Sequence, residues 1–304
     1  MKEIMLNFDI EQKVVKIGDV KIGGQPGENP PVMIATVFYA NHAALLDEKT
    51  GEIDKKMVEQ ELNEYSEIID DTGMQGIIDV VGGYPEALIK QCEFVADAVD
   101  FPFLVDGLND SSRIPAMEGL KEKGLLDRAI LNSIDDSTSD ENLDRLKEIG
   151  VKYAVLLTFG SRYIFPKQKL EFLKNELIPK AKRANIENFI IDTAVLDLAS
   201  IGINAETVRM VKSELGLPVG YAPANAIYGW QYGKKSGDVA RCGAITSQMA
   251  YCVNAGADFV LYGPIKFAKC VIPGISLIAA VNSYYRKRIL RKNISDLSPL
   301  NKVF

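Results

Sequence analysis

Eight short apolar runs recur along this 304-residue chain, and a longer amphipathic stretch follows each of them. The runs cover residues 32–37, 76–81, 102–106, 128–132, 151–158, 188–192, 218–221 and 258–262. Each holds only 4–8 residues, rich in β-branched side chains and nearly unbroken in apolar character. That is the pattern of strands buried on both faces of a parallel sheet. The stretches at 55–69, 85–98, 111–123, 139–149, 167–184, 205–215, 239–254 and 275–289 carry helical periodicity instead. Local signals agree: Pro85 falls in a first turn, Ser139 and Asn204 suit N-caps, and Gly150 and Gly216 suit helix ends.

Strand ends spaced by about 32 residues match the βα unit of a (β/α)8 TIM barrel. A doubly wound open sheet shares the alternation but brings a glycine-rich phosphate fingerprint after its first strand, and TVFYANHAALL at 36–46 has none. The expected fold is α/β, a closed TIM barrel. It spans residues 1–304 as one domain and is preceded by a short N-terminal β-hairpin (14–17 with 20–22) and a turn-dense segment, GGQPGENPP, at 23–31.

Residue counts narrow the chemistry. Against 41 Asp+Glu stand 35 Lys+Arg, a net charge of −6, which argues against the cationic face of a general nucleic-acid binder. The one histidine, His42, excludes a His-built zinc centre and leaves one place for a His-centred triad. The four cysteines, Cys92, Cys242, Cys252 and Cys270, form no C-x-x-C pair, so free thiols in a reducing compartment are expected. Cys242 and Cys252 lie nearly three helical turns apart, too far to share a metal, and read as core thiols. The start of the chain has no signal-peptide pattern, and no run reaches the roughly 18 apolar residues of a membrane span. A soluble, cytoplasmic protein is expected.

In a barrel of this kind, functional groups gather at the C-terminal ends of the strands. Here those ends carry Asp79 in GIIDVVGG, Asp106 in FLVDGLND, Asn132 in AILNSI and Asp192 in FIIDTAVLD, with Asn225 just past strand seven in VGYAPANAIYGW. Asp and Asn are disfavoured in strands and costly to bury without partners, so five of them at equivalent positions point to one polar pocket. Carboxylates alternating with carboxamides suit a flat heterocycle with alternating donors and acceptors, such as a pterin. The other readings fit less well. A divalent metal wants closer ligand pairs and a phosphate, and a glycosidase groove wants more than the one tryptophan, Trp230. A Schiff-base aldolase wants a lysine at a strand end, and the strand-eight loop YGPIKFAK has a single glycine for cradling phosphate.

Six segments carry a resemblance: GGQPGENP (23–30), TVFYANH (36–42), DEKTGEIDK (47–55), IIDVVGGYPEA (77–87), FPFLVDG (101–107) and DRAILNSI (127–134). The chain resembles the family of the H subunit of tetrahydromethanopterin S-methyltransferase. It is similarly close to that family's bacterial branch, the methylcorrinoid:tetrahydrofolate methyltransferases. The resemblance implies a homodimeric TIM barrel that binds a reduced pterin in its mouth and exchanges a methyl group with the cobalt of a separate corrinoid protein. The substrate it implies is tetrahydrofolate or tetrahydromethanopterin, with tetrahydrofolate slightly ahead. Methylcobalamin or another corrinoid comes from the partner, and the chain itself holds no metal. By motif match, Asp106, Asn132 and Asp192 hold the pterin ring, Asn225 reaches N5 as the catalytic group, and Asp79 is an acidic strand-two position in the same pocket. Two rivals remain, a dihydropteroate-synthase-like condensing barrel and a non-catalytic assembly component that docks a corrinoid protein.

Other features have two readings each. His42 is a cobalt ligand or a packing histidine in a lid loop. Tyr221, Tyr228, Trp230 and Tyr232 form a lid or docking surface, or pack on the barrel rim. Arg162, Lys167, Lys266 and Lys269 meet an anionic pterin tail or are ordinary surface charge.

Overall fold

The computed structural model describes residues 7–160 and 162–303. β1 (Val14–Ile17) and β2 (Val20–Gly23) form the N-terminal hairpin. β3 (Val32–Val37) follows, and the loop after it carries a small ribbon of β4 (Leu45–Asp47) and β5 (Glu52–Ile53) before α1 (Lys55–Thr72). β6 (Gln75–Gly82), α2 (Pro85–Ala98), β7 (Phe103–Gly107), α3 (Asp110–Glu122), β8 (Ala129–Ile134), α4 (Asp140–Ile149) and β9 (Tyr153–Leu157) continue the alternation. The next helix is interrupted by a π-turn at Leu173–Leu177, which separates α5 (Pro166–Phe172) from α6 (Ile178–Arg183). β10 (Asn188–Asp192), α7 (Ser200–Leu215) and β11 (Val219–Tyr221) lead into two short helices, α8 (Ala224–Tyr228) and α9 (Gln231–Lys235). α10 (Gly237–Asn254), β12 (Phe259–Pro264), α11 (Ala268–Arg288) and α12 (Leu300–Val303) complete the chain.

The parallel strands β3, β6, β7, β8, β9, β10, β11 and β12 close into one barrel in that order, so the fold is the expected (β/α)8 TIM barrel with its N-terminal hairpin. Ser139 caps α4 by accepting from the Asn142 N–H at 3.2 Å, and Gly150 and Gly216 end their helices in left-handed conformations. Asn204 does not cap α7, because that helix already starts at Ser200. Asp197 takes the role by accepting from the Ser200 N–H at 2.8 Å.

The hairpin closes the N-terminal end of the barrel. Val15, Ile17, Val20 and Ile22 pack against the inward residues Val32, Ile34, Ile77, Leu104, Ile130 and Ile190 in one apolar cluster. Burying side chains of this size stabilises by about 1.5–3 kcal/mol each. The GGQPGENPP segment lies at this closed end rather than at the mouth. Lys212, fully buried, donates to Gly24 O at 2.7 Å and pairs with Asp258 at 2.8 Å. A Cβ at Gly27 (φ 76°) would stand 2.7 Å from Asn282 O.

One sequence expectation needs correction. Cys242 and Cys270 are joined in a disulfide, while Cys92 and Cys252 are free and buried. Residues 28 apart in sequence meet because α10 and α11 run side by side, with Asn254 bonded to Asn282 at the same 28-residue offset and Thr246 bonded to Cys270 one helical turn away. Spacing rules for neighbours in sequence do not see such a pair. Among the described residues one helix, Ile265–Arg288, is long and apolar enough to cross a membrane by length and composition, and 56% of its most apolar window is buried within the fold.

Candidate functional site

Side chains alternate faces along a strand. A residue two beyond a member of the inward apolar cluster therefore points into the barrel, one layer nearer the C-terminal mouth. Thr36 stands two beyond Ile34, Asp79 beyond Ile77, Asp106 beyond Leu104, Asn132 beyond Ile130, and Asp192 beyond Ile190. Strand register puts Thr36 opposite Asp79 and Asp106 opposite Asn132. The apolar floor thus gives way to a polar layer built from five strands. Thr36, Asp79 and Asp192 are its buried members, and Asp106 and Asn132 are half-buried.

Three carboxyls in so confined a space perturb one another. Burial raises Asp79 to about 7, against the opposing pull of hydrogen bonding from Thr36 and Asn132, and the nearby Asp192 charge adds to the rise. Its Oδ2 accepts from the Thr36 hydroxyl at 2.9 Å. Its Oδ1 is buried without a well-formed hydrogen bond among the described residues. Asp106 is pushed well above the carboxylate range by burial and then by Asp79, with Asp192 adding and Arg113 opposing. Asp192 is raised to about 6 by burial, moderated by the Ala194 N–H and Lys169. Near neutral pH such a layer holds at least one proton among its carboxyls, because like charges at close range oppose full ionisation. It can therefore both donate and accept hydrogen bonds to a bound ring.

Two cations behind this layer escaped the sequence reading. Arg113, at the start of α3, is buried, pairs with Asp110 at 2.8 Å and Asp135 at 2.9 Å, and stands close enough to Asp106 to pull its pKa down. Gly107 lets it approach, since a Cβ there would lie 2.7 Å from the Arg113 backbone. Lys169 on α5 is buried beside the Asp192 turn, where it donates to Thr193 O, to Ala194 O at 2.9 Å and to Asn204 Oδ1 at 2.7 Å. An Asp110-x-x-Arg113 spacing was legible as a helical ion pair. Lys169 gives no comparable signal, because PKQKLEF reads as an ordinary helix start.

Asn225 sits at the second position of α8, four residues past the end of β11, and its side chain lies outside what the structure describes. His42 is a packing residue. Its Nδ1 accepts from the Phe38 N–H at 3.0 Å, its Nε2 bonds Glu61 at 2.9 Å, and its ring stacks on Tyr39 at 4.5 Å. Of the four strand-seven aromatics, Tyr221 is core, whereas Tyr228 and Tyr232 are exposed and Trp230 is half-buried. Arg162, Lys266 and Lys269 are exposed and paired with Asp136, Asp238 and Glu64. Lys167 is also exposed.

Comparison with known proteins adds three findings. The family model described as tetrahydromethanopterin S-methyltransferase MtrH subunit matches residues 10–293. The chain is 34% identical over 308 residues to the H subunit of tetrahydromethanopterin S-methyltransferase from Methanothermobacter thermautotrophicus, covering 96% of this chain and 98% of that one. To the counterpart of the same name from Methanocaldococcus jannaschii it is 32% identical over 320 residues, covering 98% and 100%. Among solved structures, the dihydropteroate synthase of Xanthomonas albilineans in complex with 7,8-dihydropteroate aligns with a TM-score of 0.62. The identity is 16%, over 88% of this chain and 98% of that chain. A truncated 3-deoxy-D-arabino-heptulosonate 7-phosphate synthase from Thermotoga maritima aligns with a TM-score of 0.56 at 12% identity, over 94% and 95%. At such identities these structures show the shared barrel alone.

Proposed function

The chain belongs to the family of the tetrahydromethanopterin S-methyltransferase MtrH subunit, and from that premise we propose that it is a cytoplasmic methyltransferase acting between a methylated corrinoid and N5 of a tetrahydropterin. The observation that carries the proposal is the polar layer itself. Asp79, Asp106, Asn132 and Asp192 rise from consecutive inward positions on four strands above an apolar floor. An ionised Asp192 there accepts the ring's adjacent N–H donors, and Asn132 and the protonated carboxyls serve its remaining edge. The cobalt of the corrinoid, carried by a separate protein, accepts or supplies the methyl group. The chain's own residues orient the ring so that N5 faces the mouth. Asn225, just past strand seven, is assigned to N5, where an amide can hydrogen-bond either protonation state.

The ring is common to tetrahydrofolate and tetrahydromethanopterin. The names of the relatives favour tetrahydromethanopterin, so both belong in the test. Support for a protein partner at the mouth comes from its rim. Exposed Leu46, Tyr84, Leu108, Phe159, Leu196 and Tyr232 come one each from six of the βα loops. Support for a homodimer is the exposed apolar stripe of Leu277, Val281 and Tyr284 along α11, beside Tyr251 of α10, and sedimentation velocity measures the resulting mass.

The decisive experiment titrates each reduced pterin into the protein by calorimetry and repeats the titration with Asp192→Ala. Binding by the unaltered protein and its loss in the variant are expected. Equal binding by both would sink the pocket assignment. Methyl transfer is then read from the cobalamin absorbance change when methylcobalamin and the bound pterin are mixed with the protein.

A further inference from the structure

Lys169 is an unusual residue to find behind a pocket of acids. It is buried on α5, and all three of its N–H donors go to neutral oxygens: Thr193 O, Ala194 O at 2.9 Å and Asn204 Oδ1 at 2.7 Å. Among the described residues no carboxylate forms a salt bridge with it. The nearby charge that acts on it is Asp192, one residue before the carbonyls it grips. A buried ammonium satisfied only by dipoles is costly unless something uses its charge.

The geometry of the turn shows what the lysine does. Ala194 is held in the left-handed region (φ 54°), which disfavours a residue with a Cβ by about 1–2 kcal/mol. Two contacts keep it there. Its N–H donates to Asp192 Oδ1 at 2.7 Å, and its carbonyl accepts from Lys169. The turn therefore occupies one carboxylate oxygen of Asp192 and leaves the other available to the pocket. Asn204, buried in the second turn of α7, locks the lysine in place through its amide oxygen while its own NH₂ donates to Ser200 O at 2.9 Å.

We propose that Lys169 is a positioning residue for the pocket, holding the turn after β10 so that the free oxygen of Asp192 faces the substrate ring as an ionised acceptor. This rests on the pterin reading above. The other charged groups facing Asp192 are Asp79 and Asp106 across the barrel, with Arg113 behind Asp106. An ionised Asp192 raises both neighbouring carboxyls, burial opposes its own charge, and the lysine is the nearby cation that favours it. Burial in turn lowers Lys169 to about 8, so its support weakens in alkaline solution.

The test is the pH profile of tetrahydrofolate and tetrahydromethanopterin affinity between about pH 5.5 and pH 9. It is run on the unaltered protein, on Lys169→Met and on Asn204→Asp. Affinity of the unaltered protein falls on the acid side as Asp192 protonates near 6. In Lys169→Met the acid limb moves up by about one pH unit, a roughly tenfold weaker affinity at pH 6 that is largely recovered near pH 8. A purely structural loss would weaken binding equally at every pH. Asn204→Asp keeps the ammonium buried but gives it a carboxylate of its own, so it guards against failure of the methionine variant to fold. It is expected to move the limb in the same direction. A folded variant of either kind with an unmoved profile overturns the role of Lys169 and leaves the pterin pocket standing. Failure of the unaltered protein to bind either pterin overturns both.

Discussion

The Thr36 hydroxyl donates to Oδ2 of Asp79 at 2.9 Å across the β3–β6 pair, while Oδ1 of the same carboxyl stays buried without a well-formed partner among the described residues. A half-satisfied carboxyl above an apolar floor disfavours its charged form, and burial accordingly raises Asp79 to about 7. Because the folded pKa lies above the unfolded one, the native state binds the extra proton between the ordinary carboxylate range and about 7. Stability therefore falls as pH rises through that window and is lowest above it. Asp79→Asn removes the charge and keeps an acceptor for Thr36. We expect thermal unfolding to show a gain of about 1–3 kcal/mol near pH 8 and little near pH 5. A gain that does not depend on pH would contradict this account.

The conspicuous GGQPGENPP motif serves the closed end of the barrel. Gly27→Ala would press a Cβ to 2.7 Å from Asn282 O at a φ of 76°. A loss of about 2 kcal/mol or more in chemical denaturation is expected, with pterin affinity of the folded fraction unchanged. Weakened pterin affinity at full stability would place the motif in the site.

His42 ties the loop after β3 to α1. Removing its ring in His42→Ala leaves the Phe38 N–H, donated at 3.0 Å, without an acceptor in a buried position, and frees Glu61. A stability loss of about 1–3 kcal/mol is expected. The cobalamin spectrum recorded with the protein should not change between the two forms, and a changed spectrum would restore the cobalt-ligand reading.

Strand and helix order was legible because strands buried on both faces demand continuous apolar runs, and only the barrel tops break that rule. Asp79, Asp106, Asn132 and Asp192 stood out for that reason. Lys169, Arg113 and the Cys242–Cys270 pair did not. Apart from Asp110, which pairs with Arg113 within α3, their partners come from other elements, and nothing in a local window distinguishes a buried lysine on α5 from a solvated one. The ribbon β4–β5 and the short helices α8 and α9 were missed because such pieces have too few residues to show a period.

With Cys242 and Cys270 bonded and Cys92 and Cys252 free, thiol titration in denaturant without reductant should read about two groups, against four after reduction. Four without reductant would return all the cysteines to the thiol form expected from sequence.

Asn225 lies four residues past the end of β11, at the second position of α8, and its proposed role differs in kind from that of the acids. Groups that hold the ring contribute equally to the bound substrate and to the transition state, so their loss shows first in affinity. A group at N5 meets charge that changes during transfer, so its loss shows in rate. Asn225→Ala should therefore slow methyl transfer at saturating pterin by roughly 10²-fold while pterin Kd changes by less than about tenfold. Single-turnover absorbance gives the first number and calorimetry the second. A loss of affinity without a loss of rate would make Asn225 one more ring-holding residue and leave N5 without an assigned partner.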